Sequence, residues 1–221
     1  MTTTPATNPR SALLLGATGL VGRSCLELLL QDDRYATVHA LTRTPLSQQH
    51  PKLRSHVVPF AELARAVAEL AASDVFCCLG TTIKKAGSEA AFRQVDYEYP
   101  LIAARSAAQS GARQFLIVTA LGADPGSRIF YNRVKGEVER AICELPLATV
   151  HVLRPSMLLG ERSEQRVGEA IGQVAMRALQ PLMLNDARKY RPIAGETVAR
   201  ALLALARKDQ PDRHIHESDE L

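Results

Sequence analysis

Short apolar runs alternate with longer amphipathic segments along most of the chain, and this alternation most constrains its fold. The apolar runs that indicate strands are "ALLL" from residue 12, "TVHAL" from 37, "HVV" from 56, "DVFCCL" from 74, "QFLIVT" from 114 and "ATVHVL" from 148. The helical patterns between them cover residues 20–31, 61–71, 88–110 and 131–145. Strands that are separated by helices are joined by crossovers, which make them parallel. The sequence therefore predicts an α/β fold with a doubly wound parallel sheet and helices on both faces.

A chain of 221 residues is long enough for one such domain, with little room for a second. We expect a flexible tail over residues 1–10 and a single nucleotide-binding domain over 11–221. The alternation loosens after Pro155, so we assign 155–195 to a short C-terminal elaboration on the substrate side. Two prolines between residues 44 and 54 predict a second crossover with little or no helix, and a further helix is predicted at 196–207.

Composition narrows the partners and the location that we expect. The net charge is +4 and the basic residues are scattered, which does not favour nucleic acid as a partner. No apolar run is long enough to span a bilayer, and "MTTTPATNPR" lacks the pattern of a secretory signal. We therefore expect no membrane association and a cytoplasmic location.

Cysteine and histidine spacings do not favour a metal site. None of the four cysteines forms a CxxC motif, and Cys77 and Cys78 are predicted as core thiols rather than a redox pair, because neighbours on a strand point to opposite faces. His214 and His216 lie two residues apart, but no further ligands stand at suitable spacing.

Three glycines, Gly16, Gly19 and Gly22, lie between the first predicted strand and the first predicted helix. A bare turn at this point would also use glycine, so the spacing by itself is a weak signal. Directly after a strand and at the start of a helix, it is typical of a dinucleotide-binding loop. Glycines allow a pyrophosphate to approach closely, and the helix N-terminus offers unpaired N–H groups and a positive dipole end. The context favours phosphate binding over a bare turn.

The end of the second strand indicates which dinucleotide is bound. NAD(H) is usually held by an acid about 20 residues past the glycines, which accepts from the ribose 2′-hydroxyl. No Asp or Glu occurs between Arg34 and Ala61, whereas Arg43 stands at the strand end in "LTRTP". A guanidinium there can pair with a 2′-phosphate, although a solvated loop arginine is the alternative. The pattern therefore favours NADP(H).

Tyr131 and Lys135 lie four residues apart in "IFYNRVKGEVERAI", on one face of a predicted helix. An unperturbed phenol is a poor acid or base at neutral pH, and a nearby ammonium stabilises its anion. The pair suits proton transfer to an oxygen during hydride transfer. This spacing is commonplace on amphipathic helices, and it gains meaning from the nucleotide-binding sheet that precedes it.

A string of longer motifs carries a family resemblance. These motifs are "DVFCCLGTTIKKAGSEAAFRQVDYEYP", "ALGAD", "YNRVKGEVE" and "LRPSMLLGERSEQRVGE". Residues 12 to about 205 resemble the atypical branch of the short-chain dehydrogenase/reductase superfamily, and more narrowly its NADPH-binding Tat-interacting-protein type. The resemblance implies a Rossmann fold, an oxidoreductase-like function and an NADP(H) site. The residues expected to hold the cofactor are Gly16, Thr18, Gly19, Leu20, Val21, Gly22, Arg43, Thr44, Leu79, Gly80, Thr81, Tyr131, Lys135, Pro155 and Leu158.

The chain departs from the superfamily pattern at the active-site serine. In "IVTALGAD" the nearest hydroxyl is that of Thr119, and Ala120 fills the next place. Thr119 therefore joins Tyr131 and Lys135 as a catalytic candidate. If Thr119 points into the sheet, the orientation of the substrate falls to Thr81, Thr82 or water.

Other positions near the expected site leave alternatives open. Asp96 in "RQVDYEYP" stands where related chains often carry Asn, and it either braces a loop or is a surface acid. Phe60 in "VVPFAEL" stands where an acid near the adenine is often found, and we expect it to pack close to the base instead. Arg154, Arg162 and Arg166 surround the expected pocket, where they either contact an anionic ligand or form surface salt bridges.

Two functions from different classes are compatible with these features. The first is an NADPH-dependent oxidoreductase that acts on a small carbonyl or alcohol, with Tyr131 as proton donor or acceptor. The second is an NADPH-binding regulatory or protein-interaction module with little turnover, which the missing serine favours. A homodimer is a further hypothesis, because the helices at 88–110 and 131–145 are long enough to pair across a two-fold axis.

Overall fold

Seven parallel strands form the main sheet of the structure, a computed structural model that describes residues 10–159, 185–208 and 210–221. The main-sheet strands are β1 (Arg10–Leu15), β2 (Tyr35–Thr42), β3 (Leu53–Val57), β4 (Asp74–Cys77), β5 (Gln114–Val118), β6 (Thr149–Arg154) and β9 (Asp212–Glu217), and β7 (Leu158–Leu159) pairs separately with β8 (Ile193–Ala194). Their order is β3-β2-β1-β4-β5-β6-β9, with every neighbouring pair parallel. This is the order of a doubly wound, Rossmann-type sheet, so the predicted fold class is confirmed.

The crossovers between these strands are mostly helical. The helices are α1 (Leu20–Gln31), α2 (Leu63–Leu70), α3 (Ile83–Ala86), α4 (Glu89–Arg93), α5 (Tyr99–Gln109), α6 (Phe130–Cys143) and α7 (Gly195–Ala206). Short 3₁₀ turns occupy Phe60–Glu62, Asn185–Tyr190 and Ser218–Glu220. The connection from β2 to β3 has no helix, as its prolines predict. Among the described helices, none is long and apolar enough to cross a membrane.

The sheet separates two apolar cores, because successive side chains of each strand point to opposite faces. In β1, Ala12 and Leu14 pack with α1 and α7, whereas Leu13 and Leu15 pack with α2, α5 and α6. All four side chains are buried. Strands that are covered on both faces must be apolar on both faces, which explains the continuous apolar runs in the sequence. The faces are therefore filled, and the loops at the carboxyl edge of the sheet are left to form a site.

β9 is a strand that the sequence pattern does not predict. Its segment "DRHIHE" contains only one aliphatic side chain, Ile215, which is half exposed. It pairs with β6, where His151 is fully buried. The ring of His151 stacks on His214 with centroids 5.0 Å apart and packs at a tilt against His216 with centroids 5.4 Å apart. Edge strands commonly carry polar residues, so the missing apolar run follows from the position of β9 in the sheet.

Part of the predicted substrate-side segment lies outside the described residues. Residues 160–184 and 1–9 are not among those described, and the structure therefore does not bear on most of the 155–195 assignment or on the expected tail. At the two described ends of the segment, β7 and β8 pair in parallel, and the N–H of Ile193 donates to the carbonyl of Met157 at 3.0 Å.

Candidate functional site

The glycine loop connects β1 to α1 at the carboxyl edge of the sheet. Gly16 has a φ of +85°, a left-handed conformation that favours glycine, and its carbonyl accepts from the N–H of Gly19 at 2.9 Å. Gly19 is the N-cap of α1, but no side chain caps the helix and no acid occupies its first turn. The first N–H groups of α1 lack intrahelical partners, and together with the helix dipole they make a site for an anion.

The three glycines of this loop serve two different purposes. A Cβ on Gly16 would collide with the carbonyl of Cys78, and a Cβ on Gly22 would collide with the carbonyl of Gly16. A Cβ on Gly19 would meet its nearest described atom, the Gly16 carbonyl oxygen, at 3.3 Å. The fold itself therefore requires Gly16 and Gly22, whereas Gly19 leaves an exposed space above the loop. That space and the uncapped helix end fit a pyrophosphate.

Two aromatic rings lie beside the end of β2. Phe60 and Tyr99 stack with centroids 3.7 Å apart and planes inclined by 7°. Arg43, the residue that follows β2, has its guanidinium carbon 5.9 Å from the centroid of Phe60. Arg43 and Thr44 are both exposed. The structure thus places the predicted Arg43 at the strand end, next to a flat aromatic surface.

Tyr131 and Lys135 lie on α6, which begins shortly after β5. The ring of Tyr131 is partly buried and packs against Phe92, with centroids 5.4 Å apart. Lys135 is 4% exposed, and its ammonium forms an ion pair of 2.7 Å with the carboxylate of Asp96. Burial opposes the charged form of Lys135, but Asp96 outweighs this effect and raises the pKa of the ammonium. Lys135 is therefore a buried cation on the helix that carries the phenol.

The loop after β4 completes this cluster. The N–H of Thr81 donates to the second carboxylate oxygen of Asp96 at 2.9 Å. A Cβ built on Gly80 would lie 3.8 Å from the ammonium nitrogen of Lys135 and 3.5 Å from Asp96. Gly80 and Thr81 thus lie next to the ion pair of Asp96 and Lys135. Asp96 is 1% exposed, so of the two readings of this acid the loop brace is confirmed and the surface acid is wrong.

Thr119 follows β5 but turns its hydroxyl toward other elements. The hydroxyl donates to a carboxylate oxygen of Glu139 at 2.5 Å. Glu139 also accepts from Arg154 at 2.6 Å, and Arg154 donates in turn to Glu217 at 3.0 Å. Burial raises the pKa of Glu139, although Arg154 and Thr119 oppose the shift. These contacts make Thr119 and Arg154 parts of a buried network that joins β5, α6, β6 and β9.

The remaining predicted contacts lie beyond β6. Pro155 is buried, and its carbonyl accepts from the N–H of Leu121 at 2.9 Å, while Leu158 is partly buried in β7. Ser156 donates from its N–H to the hydroxyl of Ser218 at 3.0 Å. Arg162 and Arg166 lie outside the described residues.

Sequence reasoning missed the contacts of two acids near the predicted pair. Asp96 was singled out without its ion pair to Lys135, and Glu139 was not considered at all. A signal for Glu139 exists, because positions 131, 135 and 139 repeat at four-residue intervals and so share one face of α6. The sequence holds no comparable local signal for the Asp96 contact, since the two residues belong to different crossovers.

A glycine loop at the start of α1, and a tyrosine and a buried lysine on the helix after β5, define a class of protein. It is a Rossmann-fold protein with the features of a dinucleotide-binding site. A family model described as NAD(P)H-binding matches residues 16–169. The chain belongs to this NAD(P)H-binding family.

Relatives of known sequence agree with the resemblance seen in the motifs. The chain is 36% identical over 164 residues to Protein HTATIP2 of Rattus norvegicus, a match that covers 72% of this chain and 67% of the relative. It is 35% identical over 222 residues to Protein FMP52-1, mitochondrial, of Scheffersomyces stipitis, with 96% of each chain covered. The resemblance inferred from the sequence is therefore confirmed.

Solved structures with low sequence identity share the fold. The Bordetella bronchiseptica enzyme WbmH in complex with NAD⁺ matches with a TM-score of 0.70 and 12% identity, over 95% of this chain and 76% of the other. The dTDP-4-dehydrorhamnose reductase of Bacillus anthracis in complex with NADP matches with a TM-score of 0.67 and 13% identity, over 96% and 75%. One of these structures holds NAD⁺ and the other NADP, and at this identity they show the shared fold alone. The family model indicates an NAD(P)H-binding domain and does not distinguish the two cofactors.

The expected cytoplasmic location is wrong. FMP52 relatives from five fungi are named as mitochondrial proteins, among them those of Coccidioides immitis and Candida albicans. The expectation rested on the lack of a secretory signal and of a membrane span. These two features do not test for targeting to an organelle by other signals.

Proposed function

We propose that the protein is an NADP(H)-dependent oxidoreductase that acts on a small carbonyl or alcohol. The observation that carries the proposal is the buried Lys135, held under the loop after β4 and one helical turn beyond Tyr131 on α6. Burial of an ammonium group costs free energy, because the charge is removed from water. Stabilisation of the anion of the neighbouring phenol would explain why a charged lysine is buried at this place in a nucleotide-binding fold.

Residues of this chain would hold the cofactor along the carboxyl edge of the sheet. The N-terminus of α1 and the space above Gly19 would bind the pyrophosphate, and Arg43 would pair with the 2′-phosphate. Phe60 and Tyr99 would offer a flat surface to the adenine. Lys135 would donate to the nicotinamide ribose beneath Gly80. Arg43 is the reason to propose NADP(H) over NAD(H), since no acid stands between Arg34 and Ala61.

In the reductive direction, Tyr131 donates its hydroxyl proton to the carbonyl oxygen of the substrate. When bound, NADPH supplies the hydride for the carbonyl carbon. The phenolate that remains on Tyr131 is stabilised by the Lys135 ammonium and then regains a proton from solvent. In the oxidative direction the same phenolate accepts the proton of the alcohol.

Replacement of Tyr131 by Phe tests this proposal. The ring and Lys135 remain in Tyr131→Phe, so NADPH affinity should stay within a few-fold, while carbonyl reduction should fall by about 10²–10⁴, as for a lost general acid. The assay follows NADPH oxidation against a panel of aldehydes, ketones and quinones. A Tyr97→Phe variant is the control. It also removes one tyrosine hydroxyl, but from a ring that packs against Arg93 and has no role in the proposed mechanism. Equal turnover by wild type and Tyr131→Phe would contradict the role of Tyr131.

A second candidate function is an NADPH-binding regulatory or interaction module. The contact that favours it is the hydrogen bond from Thr119 to Glu139. This bond directs the hydroxyl that follows β5 into the protein interior and away from a substrate. Fewer donors then remain to orient a substrate oxygen beside Tyr131. NADPH binding without turnover by wild-type protein, on any member of the panel, would favour this second function.

A further inference from the structure

Asp96 occupies an unusual position in the helical crossover between β4 and β5. It lies in a π-helical turn, Gln94–Glu98, that joins α4 to α5. Such turns widen a helix locally and are frequent at functional sites. The side chain of Asp96 is fully buried, and the Lys135 side chain that it meets is 5% exposed. A carboxylate in such a place is costly unless its charge and its lone pairs are matched.

Both oxygens of this carboxylate are directed at the candidate site. One oxygen lies 2.7 Å from the ammonium of Lys135, and the other accepts from the N–H of Thr81 at 2.9 Å. Asp96 thus joins three separate elements of the site: the π-helical turn, the loop after β4 and α6. The position of the Lys135 ammonium relative to Gly80 depends on this contact.

We propose that Asp96 is a positioning residue for Lys135, and that its negative charge keeps the buried ammonium of Lys135 charged beside Tyr131. The proposal rests on the proposed function. Burial disfavours the charged form of Lys135, and the contact with Asp96 offsets this effect. An uncharged amide at this position would remove the offset, so Lys135 would lose its proton more readily and would stabilise the phenolate less.

The other titratable groups described near Lys135 either form ion pairs of their own or are uncharged. Burial raises the pKa of the Cys77 thiol to about 12, so this group of β4 is uncharged. Glu139, one turn further along α6, is paired with Arg154 of β6, and Arg93 of α4 is paired with Glu137 of α6. Glu139 also acts on Lys135 through its charge, but among the described residues Asp96 is the acid that forms an ion pair with the Lys135 ammonium.

The decisive comparison is between Asp96→Asn and Glu98→Gln. Both variants remove one carboxylate from the same π-helical turn, but Glu98 is exposed and Asp96 is buried. The first measurement is a pH titration of tyrosinate absorbance, with Tyr131→Phe subtracted to isolate the signal of Tyr131. The second is the pH dependence of kcat and KM for alcohol oxidation and carbonyl reduction.

In Asp96→Asn we expect the tyrosinate signal of Tyr131 to appear at a higher pH, by about one unit, because the buried Lys135 loses the carboxylate that keeps it charged. The acidic limb of kcat for alcohol oxidation should move in the same direction, with KM changed less than kcat. Glu98→Gln should titrate as wild type. A role in stability alone would lower the melting temperature without moving the titration. If Asp96→Asn and Glu98→Gln titrate alike, the proposal is overturned.

A second variant keeps the proposal testable if Asp96→Asn fails to fold. Asp96→Glu retains the charge but moves the carboxylate by one methylene group, so its titration should match wild type while kcat falls about tenfold. Wild-type kcat in Asp96→Glu would contradict the positioning role. The tyrosinate titration needs no turnover, so it distinguishes failure of this inference from failure of the proposed oxidoreductase function.

Discussion

Arg43 follows the last residue of β2 directly, and its side chain is exposed at the carboxyl edge of the sheet. Its guanidinium lies beside the Phe60 ring, whose stacking partner is Tyr99. A planar guanidinium can stack on an aromatic ring and still direct its N–H groups at a phosphate. At the scale of single residues, our proposal therefore assigns cofactor choice to a charge at a strand end and not to the glycine loop.

Replacement of Arg43 by Ala should weaken NADPH binding by about 1.5–3 kcal/mol, the scale of a hydrogen bond to a charged group. NADH affinity should change little, because NADH has no 2′-phosphate for Arg43 to pair with. Calorimetric titration of wild type and variant with both cofactors measures the difference. Arg65→Ala is the control, since it removes an exposed guanidinium from α2. Equal losses for NADPH and NADH would refute the assignment of Arg43.

The element that binds the pyrophosphate in our proposal is the connection from β1 to α1. Gly16 and Gly22 are required by contacts inside the protein, whereas Gly19 is exposed and its added Cβ would meet the Gly16 carbonyl oxygen at 3.3 Å, which a small shift relieves. Gly19 also has a φ of −76°, which any residue adopts, so its backbone does not demand glycine. The glycines of this element can therefore be separated by mutation into those needed for folding and the one needed for binding.

Gly19→Val should fold and melt near the wild-type temperature but lose NADPH binding, because its side chain fills the space of the pyrophosphate. Gly22→Ala should instead be destabilised by about 1–3 kcal/mol, since its Cβ overlaps the carbonyl of Gly16. Circular dichroism melts and NADPH fluorescence titrations, made on both proteins, distinguish the two effects. Tight NADPH binding by Gly19→Val would show that the loop does not hold the phosphates.

At the scale of the whole molecule, two pairs of histidines lie near the opposite edges of the main sheet. His39 of β2 lies 3.0 Å, nitrogen to nitrogen, from His56 of β3. His151 of β6 lies 3.1 Å from His216 of β9. Burial, together with the neighbouring histidines, lowers the pKa of His151 to about 4. These side chains are packed as neutral imidazoles, and protonation of His151 must lower the free energy of unfolding.

Stability should therefore fall as the pH is lowered from about 6.5 toward 4. The folded pKa of His151 lies below the unfolded value, so the unfolded chain binds more protons in this range. Between about pH 7 and pH 5 we expect a loss of about 2 kcal/mol from His151. Glu139 acts in the opposite sense, because burial raises its pKa. Urea denaturation of wild type and His151→Leu at both pH values measures the difference.

His50 supplies the control for this prediction. It is exposed in the connection between β2 and β3, so His50→Leu should keep the wild-type dependence on pH. His151→Leu should lose the part of that dependence that comes from His151, about 2 kcal/mol between pH 7 and pH 5. An unchanged slope of stability against pH in His151→Leu would show that the buried histidine does not control acid sensitivity.

Local sequence determined the fold class, most elements and the positions of the main site residues. The bounds of α1 match the predicted helix, because its apolar residues repeat with helical spacing and Gly19 marks its start. Tyr131 and Lys135 were found because four-residue spacing places them on one helix face. These features depend on residues that are close in the chain, and that is why the sequence by itself predicted them.

Contacts between distant segments were decided only by the tertiary structure. The ion pair of Asp96 with Lys135 joins the β4–β5 crossover to α6, and the turn of the Thr119 hydroxyl toward Glu139 depends on how α6 packs on β5. β9 has no apolar pattern of its own and becomes a strand by pairing with β6. The periodicity of the sequence indicates which face of a helix or strand is apolar. Which segment packs against that face depends on packing and charge in the folded chain.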